Sequence, residues 1–175
     1  MVLLGEIEKP KTPFFRQLKG KGLELIYKPL GIKTFVDAET LIKLSSEQFD
    51  SAQHSIQMVE EKFSSHIYND SQIIRSIRDA INRDVKIQLI CGPEFDPRNI
   101  ELIKLIRNQH IDLFQLDKNP QAHFNVIDWV STKLENPHGN TESFREGYFV
   151  QSMSLGNTHA TEFNTLLALT QQKPV

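Results

Sequence analysis

The chain has 175 residues, 39% of them apolar and 24% charged, with a net charge of −2 and a single cysteine. That length and apolar content suffice for one globular domain with a continuous core, without metals or disulfides to staple it. The small net charge gives no global pull toward nucleic acid or membranes, and lone Cys91 excludes an internal disulfide.

Met1-Val2-Leu3-Leu4 gives way at once to Gly5-Glu6-Ile7-Glu8. This apolar run is too short for a signal peptide or a membrane span, so a soluble, cytoplasmic protein is expected. Lys9, Lys11, Arg16, Lys19, Lys21, Lys28 and Lys33 face only Glu6, Glu8 and Glu24, which makes the front of the chain basic and the remainder acidic. Such an arm can contact phosphates or an acidic partner, but a solvated segment carrying ordinary surface lysines is the preferred reading. Phe14-Phe15 within it can make a nucleic-acid contact, but two aromatics in an extension more often anchor it to the core. Pro10, Pro13, Pro29 and four glycines leave room only for short strands such as 23–27. Residues 1–36 therefore read as an N-terminal extension packed on a domain spanning 37–175.

From Asp37, a capping residue, the apolar positions Leu41, Leu44, Phe49, Ala52 and Ile56 follow helical spacing. A strand is expected over 55–63, with Glu60-Glu61 on a solvated edge as the safer reading and Glu60 turned inward toward the site as the alternative. Asp70 or Ser71 then caps a helix with apolar Ile73, Ile74, Ile77, Ala80 and Ile81. Val85 to Cys91 is β-branched and ends at Gly92-Pro93, so Cys91 reads as a buried, inert thiol. Pro97 opens another helical pattern, and Ile111 to Phe114 another strand. Helix and strand alternate with short connections, which signals an α/β sheet. After Pro120 the pattern turns to successive strands, over 121–128, 129–134 and 147–153, so the sheet is expected to be mixed. A helix is expected over 158–170, with Ala160, Phe163, Leu166, Leu167 and Leu169 on one stripe.

The order of these elements, carried by HSIQMVEEKF, IIRSIRDAINRDVKIQLICGPEF, LIKLIRNQHIDLFQL and the strand ending Val126-Ile127-Asp128, resembles the phospholipase D-like phosphodiesterase family over residues 38–170. The resemblance implies a single α/β domain, a mixed β-sheet flanked by helices. It also implies a strand of the form His-x-Lys-x-x-x-x-Asp, in which histidine attacks phosphorus and lysine neutralises the phosphate oxygens. Positions i and i+2 share one strand face, so both side chains can meet one phosphate. Two such motifs complete one site in the family, and this chain carries one, which implies a homodimer.

Two registers fit the motif. With His123 as nucleophile, Asn125 takes the lysine position, Val130 the aspartate position, and Asp128 falls inside an apolar strand. With Asp128 as the family aspartate, Phe124 to Ile127 fill the strand interior, His123 takes the cation position and Gln121 the nucleophile position. The second register is preferred because it leaves no charge in the strand interior. An amide cannot form a phospho-enzyme intermediate, so this register implies a catalytically impaired domain acting as a dimeric binding or regulatory module for a phosphate-containing or nucleic-acid ligand. The first register implies instead an active phosphodiesterase or nuclease using His123. A pure dimerisation or interaction module is a third reading. Asn125, Glu135 and His138 join Gln121 and His123 as candidate ligand-binding residues. The family's Gly-Ser/Thr-x-Asn element finds only a weak counterpart in 139–142, and Glu146 stands where the family often has a glutamate.

His123, Glu135, His138 and His159 invite a metal reading, but their spacing matches no metal signature. Structural or exposed histidines, with no metal or cofactor, are expected.

Overall fold

The computed structural model describes residues 31–96, 101–105, 111–135 and 146–172. The expected strand at 23–27, the Phe14-Phe15 pair, His138 and the 139–142 segment lie outside the described residues. The strand-forming segments build β1 (Lys33–Phe35), β2 (Ser55–Glu60), β3 (Lys86–Cys91), β4 (Ile111–Gln115), β5 (Phe124–Ile127), β6 (Ser131–Glu135), β7 (Gly147–Gln151) and β8 (Gln171–Gln172). They form one sheet in the order β1-β7-β6-β5-β2-β3-β4-β8. Strands β2, β3 and β4 pair in parallel, while β5, β6, β7 and β1 continue from β2 as an antiparallel succession. The sheet is therefore mixed, with helices on it, as the alternation of patterns predicts.

Helix α1 (Ala38–Ser51) starts at Asp37, whose carboxylate accepts from Thr40 N at 2.7 Å. That backbone bond, reinforced through the Thr40 side chain, holds the Asp37 carboxyl below its usual pKa. The helix ends where Arg83 donates from Nη2 to Phe49 O at 3.0 Å and from Nε to Ala52 O at 3.3 Å. After α2 (Ser65–Tyr68), Asp70 caps α3 (Ser71–Asn82) by accepting from Gln72 N at 2.8 Å. Helix α4 (Glu101–Leu105) lies between β3 and β4 in the chain. Helix α5 (Met153–Ala168) begins well before the expected Thr158, because Ser152 caps it by accepting from Leu155 N at 3.3 Å.

Alternation along the strands divides the apolar residues between two faces. Ile56, Met58, Ile87, Leu89, Cys91, Ile127 and Phe149 pack with α1, α2 and α3. Val59, Ile90, Phe124 and Val126 pack with Ala160 and Phe163 of α5 on the other face. Cys91 is buried, as expected, and its thiol donates to Phe114 O at 3.3 Å. Of the two readings of Glu60, the solvated edge is not what forms and the inward one is: β2 sits between β3 and β5, and Glu60 is buried. No helix among the described residues is long and apolar enough to cross a membrane.

Candidate functional site

At the end of β2, the start of β5 and the end of β6, the α1–α3 face of the sheet turns from apolar to charged. Parallel β2 and β3 both end here, and open α/β sheets characteristically bind ligands beyond such carboxyl ends. Register accounts for the convergence. Asn125 pairs with Met58 on one side and Lys133 on the other, so Glu60, His123 and Glu135, each two positions along its own strand, share one face. Lys133 Nζ donates to Glu60 Oε1 at 2.6 Å and to Glu135 Oε1 at 2.7 Å. His123 Nδ1 lies 3.4 Å from Glu60 Oε2 and 3.7 Å from Glu135 Oε2. Tyr68 in α2 donates its hydroxyl to Glu60 Oε1 at 3.1 Å.

Burial makes these contacts strong. The Lys133, His123, Glu60 and Glu135 side chains are only 1%, 4%, 5% and 7% exposed. Burial alone pulls the Lys133 ammonium toward neutrality, but the charges of Glu135 and Glu60 outweigh it and hold the lysine pKa well above its ordinary value. Burial, followed by the Glu60 charge, pushes the Tyr68 hydroxyl well up, with Lys133 opposing. The phenol is thus a neutral donor that helps to orient Glu60.

The motif residues separate around this cluster. Gln121 is exposed and precedes β5. Phe124–Ile127 make up β5, the four positions that the second register places inside the strand. Asp128 follows them in the β5–β6 turn, where it and Trp129 have φ of 51° and 59° and Val130 N donates to Ile127 O at 3.0 Å. Its carboxylate accepts from Gln53 N at 2.7 Å, His54 N at 2.8 Å and Ser55 N at 2.7 Å. Asp128 thereby fastens the turn to the start of β2, at the opposite end of that strand from Glu60. Asn125 is fully buried, and neither amide atom has a hydrogen-bond partner among the described residues. Glu146 is exposed immediately before β7.

Of the residues considered together for a metal, His123 and Glu135 meet. His159 lies on the α5 side, its ring 4.9 Å from that of Phe124 and Nδ1 3.1 Å from Glu162 Oε2. Lys133 and Tyr68 are members of the cluster that sequence reasoning missed. The available signal was Lys133-Leu134-Glu135, whose alternation places both charges on one face of a strand next to the motif strand.

Comparison with known proteins shows the architecture. Neither a family model nor a curated protein matches the chain. Among solved structures, Nuc from Salmonella typhimurium, a phospholipase D family member, superposes with a TM-score of 0.64 at 15% identity, covering 82% of this chain and 98% of Nuc. NucT from Helicobacter pylori gives 0.64 at 12% identity, covering 81% and 98%. TrmBL2, an archaeal chromatin protein whose structure shows a novel mode of DNA binding, gives 0.63 at 14% identity. That match takes in 86% of this chain but only 60% of TrmBL2. The chain has the phospholipase D-like fold, and at these identities the likeness extends to the fold alone.

Proposed function

We propose that this chain is a non-hydrolytic phospholipase D-like domain that works as a dimeric binding or regulatory module for a nucleic-acid or other phosphate-containing ligand. The observation that carries the reading is Lys133, clamped between Glu60 and Glu135. A phosphodiesterase that uses a histidine nucleophile and a lysine needs positive charge presented to the phosphate oxygens. Here the buried ammonium is already matched by two carboxylates, which repel an incoming phosphate. Gln121, at the nucleophile position of the second register, offers an amide that cannot carry a phosphoryl group.

Ligand binding is accordingly assigned away from the cluster. The basic stretch from Lys9 to Lys28 supplies the charge that phosphate contacts require. A nucleic-acid ligand also accords with the DNA-binding neighbour TrmBL2. Dimerisation follows from the single motif-bearing half.

The test uses the full chain with a chromogenic phosphodiester, fluorescently labelled DNA and light scattering. Expected are no hydrolysis above background, DNA binding that weakens steeply with salt, and a mass of two chains. Phosphodiester hydrolysis that disappears in His123→Ala would overturn the reading and restore His123 as a nucleophile.

A further inference from the structure

The polar cluster has a donor geometry that ordinary hydrogen bonding between its members does not account for. Buried carboxylates persist only when paired or coordinated to a metal. Each carboxylate gives Oε1 to Lys133 and turns Oε2 toward His123 Nδ1, at 3.4 Å from Glu60 and 3.7 Å from Glu135. These separations exceed the usual hydrogen-bond range of about 2.7–3.2 Å. They match the spacing of donors around one ion: bonds of about 2.0–2.2 Å at a tetrahedral angle place ligand atoms roughly 3.4 Å apart.

A second observation points the same way. Asn125, two residues after His123 on the same strand face and directly opposite Lys133, is fully buried, with both amide atoms lacking a hydrogen-bond partner among the described residues. A buried amide in that state calls for a further polar occupant of the face.

We propose that Glu60, His123 and Glu135 form a binding site for a divalent transition-metal ion, with Zn²⁺ the best match to one imidazole and two carboxylates. Their ligand atoms all lie within 4.8 Å of one another. Asn125 completes the set through its amide oxygen or a bridging water. Tyr68 and Lys133, which hold the Oε1 atoms, orient the carboxylates from behind, as outer-shell hydrogen bonds do in metal sites generally. Because all three ligands are buried, the ion is structural, clamping β2 to the β5–β6 hairpin, and no phosphate need reach it. The inference stands on the cluster geometry and is independent of whether the domain binds nucleic acid.

The test starts from the full chain after chelation and dialysis. Titration with Zn²⁺, followed by calorimetry and native mass spectrometry, is expected to give one ion per chain, and Co²⁺ in its place is expected to develop visible ligand-field absorption. His123→Gln and Glu135→Gln should each weaken Zn²⁺ binding at least about a hundredfold, since even outer-shell changes cost about 10–100-fold. His159→Gln, on the other face of the sheet, should leave it unchanged. Nitrogen NMR of the His123 imidazole in the unaltered chain reads the same site without any substitution that endangers folding: Zn²⁺ should shift Nδ1 selectively. Failure to retain one ion, binding that survives both substitutions, or an imidazolium signal at His123 that Zn²⁺ does not alter would overturn the proposal. The last result would place a proton on His123 where the proposal places the ion.

Discussion

Replacing Lys133 by methionine removes the ammonium but keeps most of the buried stem, so the loss isolates electrostatics from cavity formation. The partners are 5% and 7% exposed, which places the pair outside the regime of surface ion pairs, worth about 0–1 kcal/mol. Breaking a buried pair strands its other member and costs about 3–5 kcal/mol. For a chain of this length each kcal/mol corresponds to roughly 2–4 °C, so the melting temperature should fall by about 6–20 °C. Urea unfolding followed by circular dichroism, in chelator at neutral pH, measures the difference. The combined variant Lys133→Met, Glu60→Gln, Glu135→Gln strands no charge and leaves Tyr68 an amide acceptor, so it should recover most of the loss. A single substitution costing under about 1 kcal/mol, or a triple variant no better than the single, would refute the reasoning that buried charge compensation governs this cluster.

Asp128→Ala should cost about 2–4 kcal/mol, because three backbone donors at the start of β2 lose a charged acceptor, and amide exchange at Gln53, His54 and Ser55 should accelerate. Asp128→Asn, which tolerates the left-handed turn and keeps one acceptor oxygen, should recover part of it. Gly156→Ala places a Cβ 1.9 Å from Trp129 O, so α5 must shift from the turn at a cost of about 1–3 kcal/mol, read from thermal unfolding. Asp37 has a depressed pKa in the fold, so its contribution is present above the ordinary aspartate pKa and disappears as pH falls through the lower folded value. Melts across the acid range should show this component in the unaltered chain and its absence in Asp37→Asn.

The fold was legible because most elements are specified locally. Asp37 and the Asp70-Ser71 pair announced helix starts by residue type, and Val85 to Cys91 announced a strand by its β-branched run. The start of α5 was misplaced because Ser154, Gly156 and Asn157 are poor or neutral helix formers. A Ser152 cap and the close approach of Gly156 to the Trp129 carbonyl fix that turn, and only the fold supplies the second contact. The site was less legible for a related reason. Glu60 reads as surface when its strand is taken for an edge. Strand order, which makes β2 interior and brings β6 close enough for Lys133 to reach it, is not a local property.

Strand order also explains why a motif-level reading understates what His123 has around it. The family pattern looks for its cation two residues from the nucleophile, on the same strand. In this chain the ammonium comes from β6, directly across from Asn125, and arrives with Glu135 two residues further along. A lysine in this position cannot act as an isolated phosphate anchor, because the face that delivers it delivers its counterion as well. The same pairing lets a fully buried ammonium stay charged, against the desolvation that would otherwise neutralise it. Conversion toward a phosphate site would therefore require removing the carboxylates while Lys133 remains. By the reasoning applied to Lys133→Met, that change leaves the cation buried without a partner until an anion replaces what was lost. Glu60→Gln with Glu135→Gln should accordingly destabilise the chain and make its stability respond to added phosphate, as binding to the folded state alone requires. An unaltered response to phosphate in that double variant would show that the cluster is closed to anions by its packing and not by its charge.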